Sequence, residues 1–379
     1  MLNGTVLSKD RKAAEIRNDD VIVTDPRHCP LYLQKYNDIE GWLRGRAIDA
    51  HRTNSRLLRK ALRLAPNDDL AAVLRVHGAT ITDPYWFLPE GGSLTYEQVR
   101  FEKNEFAALA LYGDPDSFSK SDGTAGTPEL TNTGSFEKCW KLLDGVWWMY
   151  KAGSAAELFS ELFIYHFGRM LGLNMARYER VSAFDQASDH DQRLPTDSLK
   201  NSAYIRSKNF TDETTAFEPI YSILRDEEDF QINYREIKAI SPKAAAEYVG
   251  MLYLDALVLN MDRHTNNYGF LRDTESGKIL SLAPLFDHNI ALVSRGYPSR
   301  AKRGGDLLQK LFVDFLKSEP QAACDFRSLE LKPATRALIQ QVFALVCESP
   351  WDFVIDKDFI ADMILSASQW IKAQLPEMV

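Results

Sequence analysis

The spacing of hydrophobic and polar positions changes along the chain from a strand-like to a helical period. Residues 1 to about 40 alternate between apolar and polar side chains, as in Val21, Ile22 and Val23, which predicts a small hairpin. From Ile39 to about residue 63 the period becomes helical, with apolar residues on one face and basic residues on the other. The basic residues are Arg56, Arg59, Lys60 and Arg63. We interpret them as a solvated surface, and a phosphate-binding surface is the alternative.

The middle of the chain predicts the order strand, strand, helix, strand, strand after a polar loop or linker at residues 114–135. The dipeptide Asp144-Gly145 separates two apolar strand-like runs and has the chemistry of a type I′ hairpin turn. A capping-box signature at residues 154–157 opens an amphipathic helix that ends at Gly172. The two later strands are predicted from Met175 to Ala183 and from Ser202 to Asn209.

Beyond about Asp212 the pattern is mostly helical. The run from Pro242 to Asn260 is apolar on every side, and such a helix is normally buried. It therefore predicts a central scaffold for the polar loop that follows it. Further helices are predicted from Gly304 onwards, the last from about Asp358 to Leu375.

Composition supports a globular protein of two or three domains. The chain has 379 residues, 45% of them hydrophobic, and a net charge of −8, which argues against binding nucleic acid or anionic membranes through bulk charge. The four cysteines are scattered without a CxxC pair, which indicates neither a disulfide framework nor a zinc site. Because the sequence also lacks an apolar run of about 18 residues, we expect a soluble cytoplasmic protein.

Charged and amide side chains on both sides of the apolar helix occur in an order that phosphoryl transfer requires. That reaction uses a strand lysine, a carboxylate on the next helix, a loop that carries a base and a later metal-binding aspartate. Lys151 at the end of the hairpin and Glu161 on the next helix supply the first two groups. Asp262 and Asn267 lie in the loop, and Asp287 follows a strand-like run. The ordered set predicts a phosphotransfer site.

Two further groups are predicted to support the strand lysine. The helix after the hairpin carries Glu157 and Glu161 one turn apart, and Glu161 is the better partner because Glu157 already belongs to the capping box. Before the hairpin, backbone amides at Thr133, Gly134 and Ser135 are placed to cover phosphate oxygens. A surface linker is the alternative interpretation of that loop.

These motifs resemble those of the HipA-like serine/threonine kinases. The catalytic loop of that family reads approximately DxHxKN, and Asp262, His264 and Asn267 match it. Residues 284–287 match the family motif PxYD with phenylalanine in place of tyrosine, and residues 134–138 are similar to its phosphate-loop motif GxQEK. The resemblance covers about residues 130 to 320.

The resemblance implies an α+β, bilobal protein-kinase-like fold. A small β-rich N-lobe with the phosphate loop is expected at residues 114–212. A larger helical C-lobe with the catalytic and metal-binding loops is expected at residues 213–379. Residues 1–113 are then an N-terminal accessory region.

The resemblance also implies an activity and partners. It implies a kinase that uses ATP and Mg²⁺ to phosphorylate a serine or threonine of a protein, with autophosphorylation at Thr131, Thr133 or Ser135 as a further expectation. In many kinases of this family an antitoxin partner that binds DNA restrains the kinase. We expect the chain itself to contact neither DNA nor membrane.

Each site residue has an expected role. Asp262 accepts or positions the proton of the attacking hydroxyl, His264 belongs to the same catalytic loop, and Asn267 and Asp287 hold magnesium. Glu161 fixes the direction of the strand lysine. The expected nucleotide-binding residues are Lys151, Thr133, Gly134, Ser135, Ser207 and Asn209, the last two because adenine is expected to lie against residues 204–210.

One position departs from the family motif. Asn266 occupies the place of the lysine in DxHxKN, whereas Arg263 and His264 form a DRHxxN sequence that is similar to the related phosphatidylinositol kinases. Three alternatives to a protein kinase remain, and the missing lysine favours the first of them. They are an ATP-binding pseudokinase, a kinase that acts on a small molecule or lipid, and a DNA-associated regulatory module that uses the helix from Arg56 to Arg63.

Overall fold

The computed structural model of the protein describes residues 1–113, 126–181, 204–297 and 304–375. Much of the polar loop predicted before the hairpin and the start of the strand predicted from Ser202 lie outside these ranges. Within them the chain forms three antiparallel sheets connected and covered by helices.

The N-terminal region is a four-stranded sheet with six short helices in the described part of the chain. Its strands are β1 (Gly4–Ser8), β2 (Arg11–Arg17), β3 (Asp20–Val23) and β4 (Tyr85–Pro89), which pair in the order β3-β2-β1-β4. Its helices are α1 (Leu31–Tyr36), α2 (Ile39–Arg44), α3 (Thr53–Ala61), α4 (Asp69–Leu74), α5 (Tyr96–Val99) and α6 (Ala107–Tyr112). The predicted hairpin is therefore part of a larger sheet, completed by the distant strand β4.

The segment predicted to be helical from Ile39 contains two helices instead of a continuous one. Helix α2 ends at a Gly45 C-cap, and α3 begins only at Thr53. The expected solvated basic face is wrong at Arg59, whose guanidinium is buried and lies 2.6 Å from the carboxylate of Asp69. A buried arginine requires such a partner, and the amphipathic pattern of α3 alone gives no sign of it.

The second sheet has the order of elements that the sequence predicts. Strands β5 (Lys138–Leu143), β6 (Val146–Ala152), β7 (Tyr178–Arg180) and β8 (Tyr204–Lys208) pair in the order β5-β6-β8-β7, and helix α7 (Ala155–Leu171) follows β6. Asp144 and Gly145 have φ values of 49° and 78°, as a type I′ turn requires. The predicted capping box between Ser154 and Glu157 is present, and Gly172 ends α7 with φ 103°.

The C-terminal part is helical around a small third sheet. Strands β9 (Thr215–Pro219), β10 (Gly269–Asp273) and β11 (Ile279–Leu282) pair in the order β11-β10-β9. The helices are α8 (Tyr221–Leu224), α9 (Phe230–Ile240), α10 (Pro242–Val258), α11 (Leu307–Ser318), α12 (Pro320–Ser328), α13 (Arg336–Val346) and α14 (Lys357–Gln374). As predicted, α10 is buried on all sides and supports the polar loop that follows it. Strand β9 was not predicted.

A buried arginine attaches the N-terminal region to the third sheet. Arg272 on β10 donates to the carbonyl of Cys29 at 2.7 Å and forms an ion pair with Glu218 on β9 at 2.8 Å. Both charged side chains are almost fully buried, so this contact is a fixed part of the structure rather than a surface contact. Among the described residues, no helix combines the length and apolar character needed to cross a membrane.

Candidate active site

The predicted site residues lie together in one cleft. A cavity of about 570 Å³ lies between the second sheet, the loop after α10 and the N-terminal region. Its lining includes Thr133, Gly134, Ser135, Lys151, Ser207, Asn209, Asp262, His264, Asn267 and Asp287. Glu161 lies behind Lys151 and is fully buried. The structure therefore brings together the predicted catalytic, nucleotide-binding and metal-binding residues, from segments more than a hundred residues apart.

Lys151 joins two carboxylates at the back of this cleft. Its Nζ lies 3.3 Å from Oε2 of Glu161, as predicted, and 2.7 Å from Oδ1 of Asp287, which sequence reasoning missed. Burial opposes the charged amine, but the carboxylates of Asp287 and Glu161 outweigh it and raise the pKa of Lys151 well above its ordinary value. Burial also opposes ionisation of Asp287, yet the neighbouring lysines hold the pKa of its carboxyl far below its usual range. Lys151 and Asp287 are therefore both charged at neutral pH.

Glu161 has a second partner that fixes its orientation. Its Oε1 accepts a hydrogen bond from the backbone amide of His288 at 3.0 Å, while Oε2 faces Lys151. Because His288 follows Asp287, the glutamate holds the lysine and the segment that carries the aspartate at the same time. The isolated sequence shows the apolar surroundings of Glu161 but not this second contact.

The loop after α10 presents Asp262 to the cleft. The side-chain amide of Asn267 donates to the carbonyl of Asp262 at 2.9 Å, and its backbone amide donates to the carbonyl of His264 at 2.8 Å, which closes the loop on itself. Asp262 is half-buried, and burial raises the pKa of its carboxyl above the ordinary value. A carboxylate with a raised pKa is a better proton acceptor at neutral pH. His264 and Asn266 are exposed beside it.

Arg263 connects the two polar loops. Its guanidinium pairs with Asp255 on α10 at 2.8 Å and donates to the carbonyls of Asn267 at 2.8 Å and Phe286 at 2.9 Å. The arginine therefore ties the loop after α10 to the segment before Asp287. Its fourth partner is the ring of His288, at 2.9 Å from Nη2. Sequence reasoning noted Arg263 only as a motif match, because its partners lie up to 25 residues away.

Asn267 and Asp287 have oxygen atoms free to bind a cation. Within the described ranges, Oδ1 of Asn267 and Oδ2 of Asp287 receive no hydrogen bond, and both residues line the cleft. Amide and carboxylate oxygens suit Mg²⁺, which takes much of its coordination from water and substrate phosphates. The described residues contain no cluster of three His, Cys, Asp or Glu side chains, as a site built wholly from such ligands would need. The donor set therefore fits magnesium bound together with a phosphate ligand.

The loop before β5 lies next to Lys138, which pairs with Lys151 on the neighbouring strand. Gly134 has φ 96°, a conformation that favours glycine, and a Cβ there would lie 2.5 Å from Nζ of Lys138. Lys138 lies opposite Lys151 on neighbouring strands and is nine-tenths buried, and burial together with the charge of Arg52 lowers its pKa to about 7. Thr131, one of the expected autophosphorylation sites, is buried and donates to the carbonyl of Ala79 at 2.6 Å. Thr133 and Ser135 are exposed.

Apolar and aromatic side chains form the other end of the cleft. Ser207 and Asn209 lie there beside a cluster of Phe210, Phe217 and Phe286, whose rings are 5.7 Å apart. The side-chain amide of Asn209 donates to the carbonyl of Ile81 at 3.4 Å. The N-terminal region thus forms part of the wall, a role that sequence reasoning did not foresee.

Comparisons with known proteins identify the fold. No protein-family model matches the chain, and no curated protein matches it. Among solved structures, the chain is similar to HipA of Shewanella oneidensis MR-1, which was determined in a toxin–antitoxin complex with HipB and operator DNA. The two chains share 12% identity with a TM-score of 0.61, and the match covers 98% of this chain and 97% of that one. The Helicobacter pylori proinflammatory kinase CtkA has 16% identity and a TM-score of 0.43, covering 63% of this chain and 95% of that one. The chain therefore has a HipA-like fold, as its sequence motifs predicted.

Proposed function

We propose that this protein is a HipA-like kinase that transfers the γ-phosphoryl group of ATP to a serine or threonine hydroxyl of a protein. The observation that carries the proposal is the position of Lys151, which contacts both Glu161 and Asp287 at the back of a cleft that Asp262 also lines. A lysine paired with a helix glutamate, beside a metal-type aspartate and a base-type aspartate, is the arrangement that phosphoryl transfer to a hydroxyl uses.

Each of the central site residues has its own role in phosphoryl transfer. Lys151 contacts the α- and β-phosphates, and Glu161 fixes the direction of its ammonium group. Asp262 orients the acceptor hydroxyl and takes its proton, for which its raised pKa suits it. Asn267 and Asp287 hold Mg²⁺, which when bound neutralises charge on the phosphates.

The remaining residues of the cleft hold the nucleotide. The amides at residues 133–135 cover the phosphates, and adenine lies near Ser207 and Asn209, where the aromatic cluster excludes water. His264 is exposed beside Asp262 and lines the same cleft.

An ATP-binding pseudokinase is the second candidate, and one observation favours it. Asn266 is exposed at the cleft in the place where the family motif has a lysine, so that position supplies no positive charge to the transferring group. Lys138 also lines the cleft, and with a pKa of about 7 it is partly protonated at neutral pH and can supply positive charge there, which is why we favour an active kinase. A DNA-associated module loses support because Arg59, on the helix it would use, is buried in an ion pair.

We also propose a regulatory partner of the antitoxin kind. The solved HipA structure contains HipB and operator DNA, and this chain shares its fold over nearly the full length. With a net charge of −8, the chain offers no bulk attraction for DNA, so a DNA contact would come through the partner. We expect this assembly in the cytoplasm.

Two measurements test the proposed function. Thermal unfolding of the wild-type chain with and without Mg²⁺-ATP reports nucleotide binding, and we expect stabilisation that requires both ligands. Incubation with ATP labelled in the γ-phosphate and a protein mixture then reports transfer. A kinase transfers label to serine or threonine, a pseudokinase is stabilised without transfer, and the absence of any stabilisation would reject both candidates.

A further inference from the structure

A buried arginine of the N-terminal region grips the loop over the cleft. Arg52, the residue before α3, is 1% exposed. Its Nη2 donates to the carbonyls of Asn132 at 2.6 Å and Gly134 at 3.0 Å, and more weakly to that of Thr133 at 3.4 Å. Its Nε donates to the Gly134 carbonyl at 3.2 Å. One planar guanidinium thus gathers three successive carbonyl groups, which lie some 80 residues further along the chain.

The hydrogen bonds from Arg52 to these carbonyls set the direction of the backbone amides of residues 133–135. In a trans peptide the C=O of one residue and the N–H of the next point to opposite sides. Since the carbonyls of residues 132–134 face Arg52, the amides of residues 133–135 face away from it. Those amides donate to no acceptor in the part of the chain that the structure describes, and their residues line the cleft. A row of outward-facing amides is a binding surface for an anion.

The guanidinium of Arg52 is itself held in place by a buried carboxylate. It lies 4.0 Å from the carboxylate of Glu129, which is fully buried and also accepts hydrogen bonds from the backbone amide of Trp140 at 2.6 Å and the side chain of Asn104 at 2.7 Å. At the start of α3, the amide of Asn54 donates to the side chain of Glu137 at 3.1 Å. The N-terminal region therefore holds the loop on both sides of Gly134, and the position of the loop does not depend on the hairpin alone.

We propose that Arg52 is a positioning residue for the phosphates of ATP, since it turns the amides of residues 133–135 towards the cleft. The proposal rests on the proposed function, because it takes the ligand of the cleft to be ATP. It assigns a task to the N-terminal region, which sequence reasoning treated as accessory. Arg52 does not touch the nucleotide and acts only through the loop.

The test compares nucleotides that differ in phosphate content. Binding of ATP, ADP and adenosine to the full chain is measured by calorimetry in the presence of Mg²⁺, for the wild type and for Arg52→Met and Arg52→Lys. We expect Arg52→Met to weaken ATP binding at least about tenfold, because several phosphate contacts are lost, and to leave adenosine binding unchanged within about twofold. Arg52→Lys keeps the charge but not the planar fork, so its loss is intermediate.

A matched control exists on α3. Arg59 is also 1% exposed and ion-paired, but it contacts Asp69 and the carbonyl of Ile48 rather than the loop. Arg59→Met should therefore change the three affinities equally or not at all. If Arg52→Met weakens all three ligands by the same factor, or none, the positioning role is rejected.

A second measurement, on the wild type alone, tests the positioning role even if the Arg52→Met variant does not fold. Hydrogen exchange on the wild type should show the amides of residues 133–135 protected by ATP but not by adenosine. Equal exchange with both ligands would reject the positioning role even without a variant. A wild type that binds no ATP would overturn the proposed function together with this inference, whereas unchanged ATP binding by a folded Arg52→Met overturns this inference alone.

Discussion

Replacement of Glu161 by glutamine removes one charge from the centre of the site and changes little else. The glutamate is fully buried, with Lys151 at 3.3 Å on one oxygen and the amide of His288 at 3.0 Å on the other. Removal of one partner from a buried ion pair costs about 3–5 kcal/mol of unfolding free energy. Lys151 keeps Asp287 at 2.7 Å, and glutamine still accepts from His288, so we expect about 3 kcal/mol.

The same substitution should also reduce activity. Without the glutamate, the ammonium of Lys151 turns towards Asp287 and is less available to the phosphates. A hydrogen bond to a charged group is worth about 1.5–3 kcal/mol, and each 1.4 kcal/mol changes a rate about tenfold. We therefore expect kcat/KM for ATP to fall about 10- to 100-fold, measured by steady-state phosphotransfer beside urea unfolding of the same preparation.

Glu157→Gln is the matched control, since it makes the same change one turn earlier on the same helix. Glu157 closes the capping box with Ser154, and glutamine serves equally at that position. We expect a change below about 0.5 kcal/mol and unchanged kinetics. If Glu161→Gln behaves like Glu157→Gln in both assays, the buried pair does not have the role given to it. If it loses stability but keeps wild-type kcat/KM, the catalytic part of the argument is wrong.

Three further predictions concern Gly134 in the loop before β5, Lys138 on β5 and Arg263 in the loop after α10. Gly134→Ala should weaken ATP binding about tenfold or more in calorimetry, because its Cβ meets Lys138, whereas Gly145→Ala, with φ 78° and open space around it, should cost stability only. The pKa of Lys138 is about 7 in the folded protein and about 10.5 in the unfolded chain, so the unfolded chain binds more protons between these pH values. The unfolding free energy of the wild type should therefore rise from about pH 7 to about pH 10.5 relative to that of Lys138→Met. Urea unfolding that shows the same pH dependence for both proteins would contradict this. Arg263→Lys should lower both stability and kcat/KM, since a lysine lacks the planar fork that contacts Asp255, Asn267, Phe286 and His288; unchanged kinetics in a folded variant would contradict the link between the loops.

Local chemistry made much of the second sheet predictable from sequence. The Asp144-Gly145 turn and the capping box at residues 154–157 depend on neighbours within four residues, so their signals are complete in the sequence. The buried helix α10 was equally clear from its apolar surface. Strand β9 was missed because a five-residue strand between polar turns has little periodicity, and its pairing partner β10 begins 50 residues later.

The site was predictable where the order of residues encodes the chemistry. Lys151, Glu161, Asp262 and Asp287 could be named because phosphoryl transfer needs those residue types in that order. The contacts that hold them could not, since the partners of Arg52 are about 80 residues away and a basic residue before an amphipathic helix is usually solvated. Burial of an arginine depends on the tertiary fold, which amphipathic spacing does not report.

Transfer of labelled γ-phosphate from ATP by the wild type and by Asp262→Ala shows whether this cleft is a phosphotransfer site. We expect Mg²⁺-dependent labelling of serine or threonine by the wild type. Asp262→Ala should abolish transfer but keep the wild-type unfolding transition and ATP-induced stabilisation. Labelling by Asp262→Ala at the wild-type rate would contradict the assignment of this cleft as a phosphotransfer site.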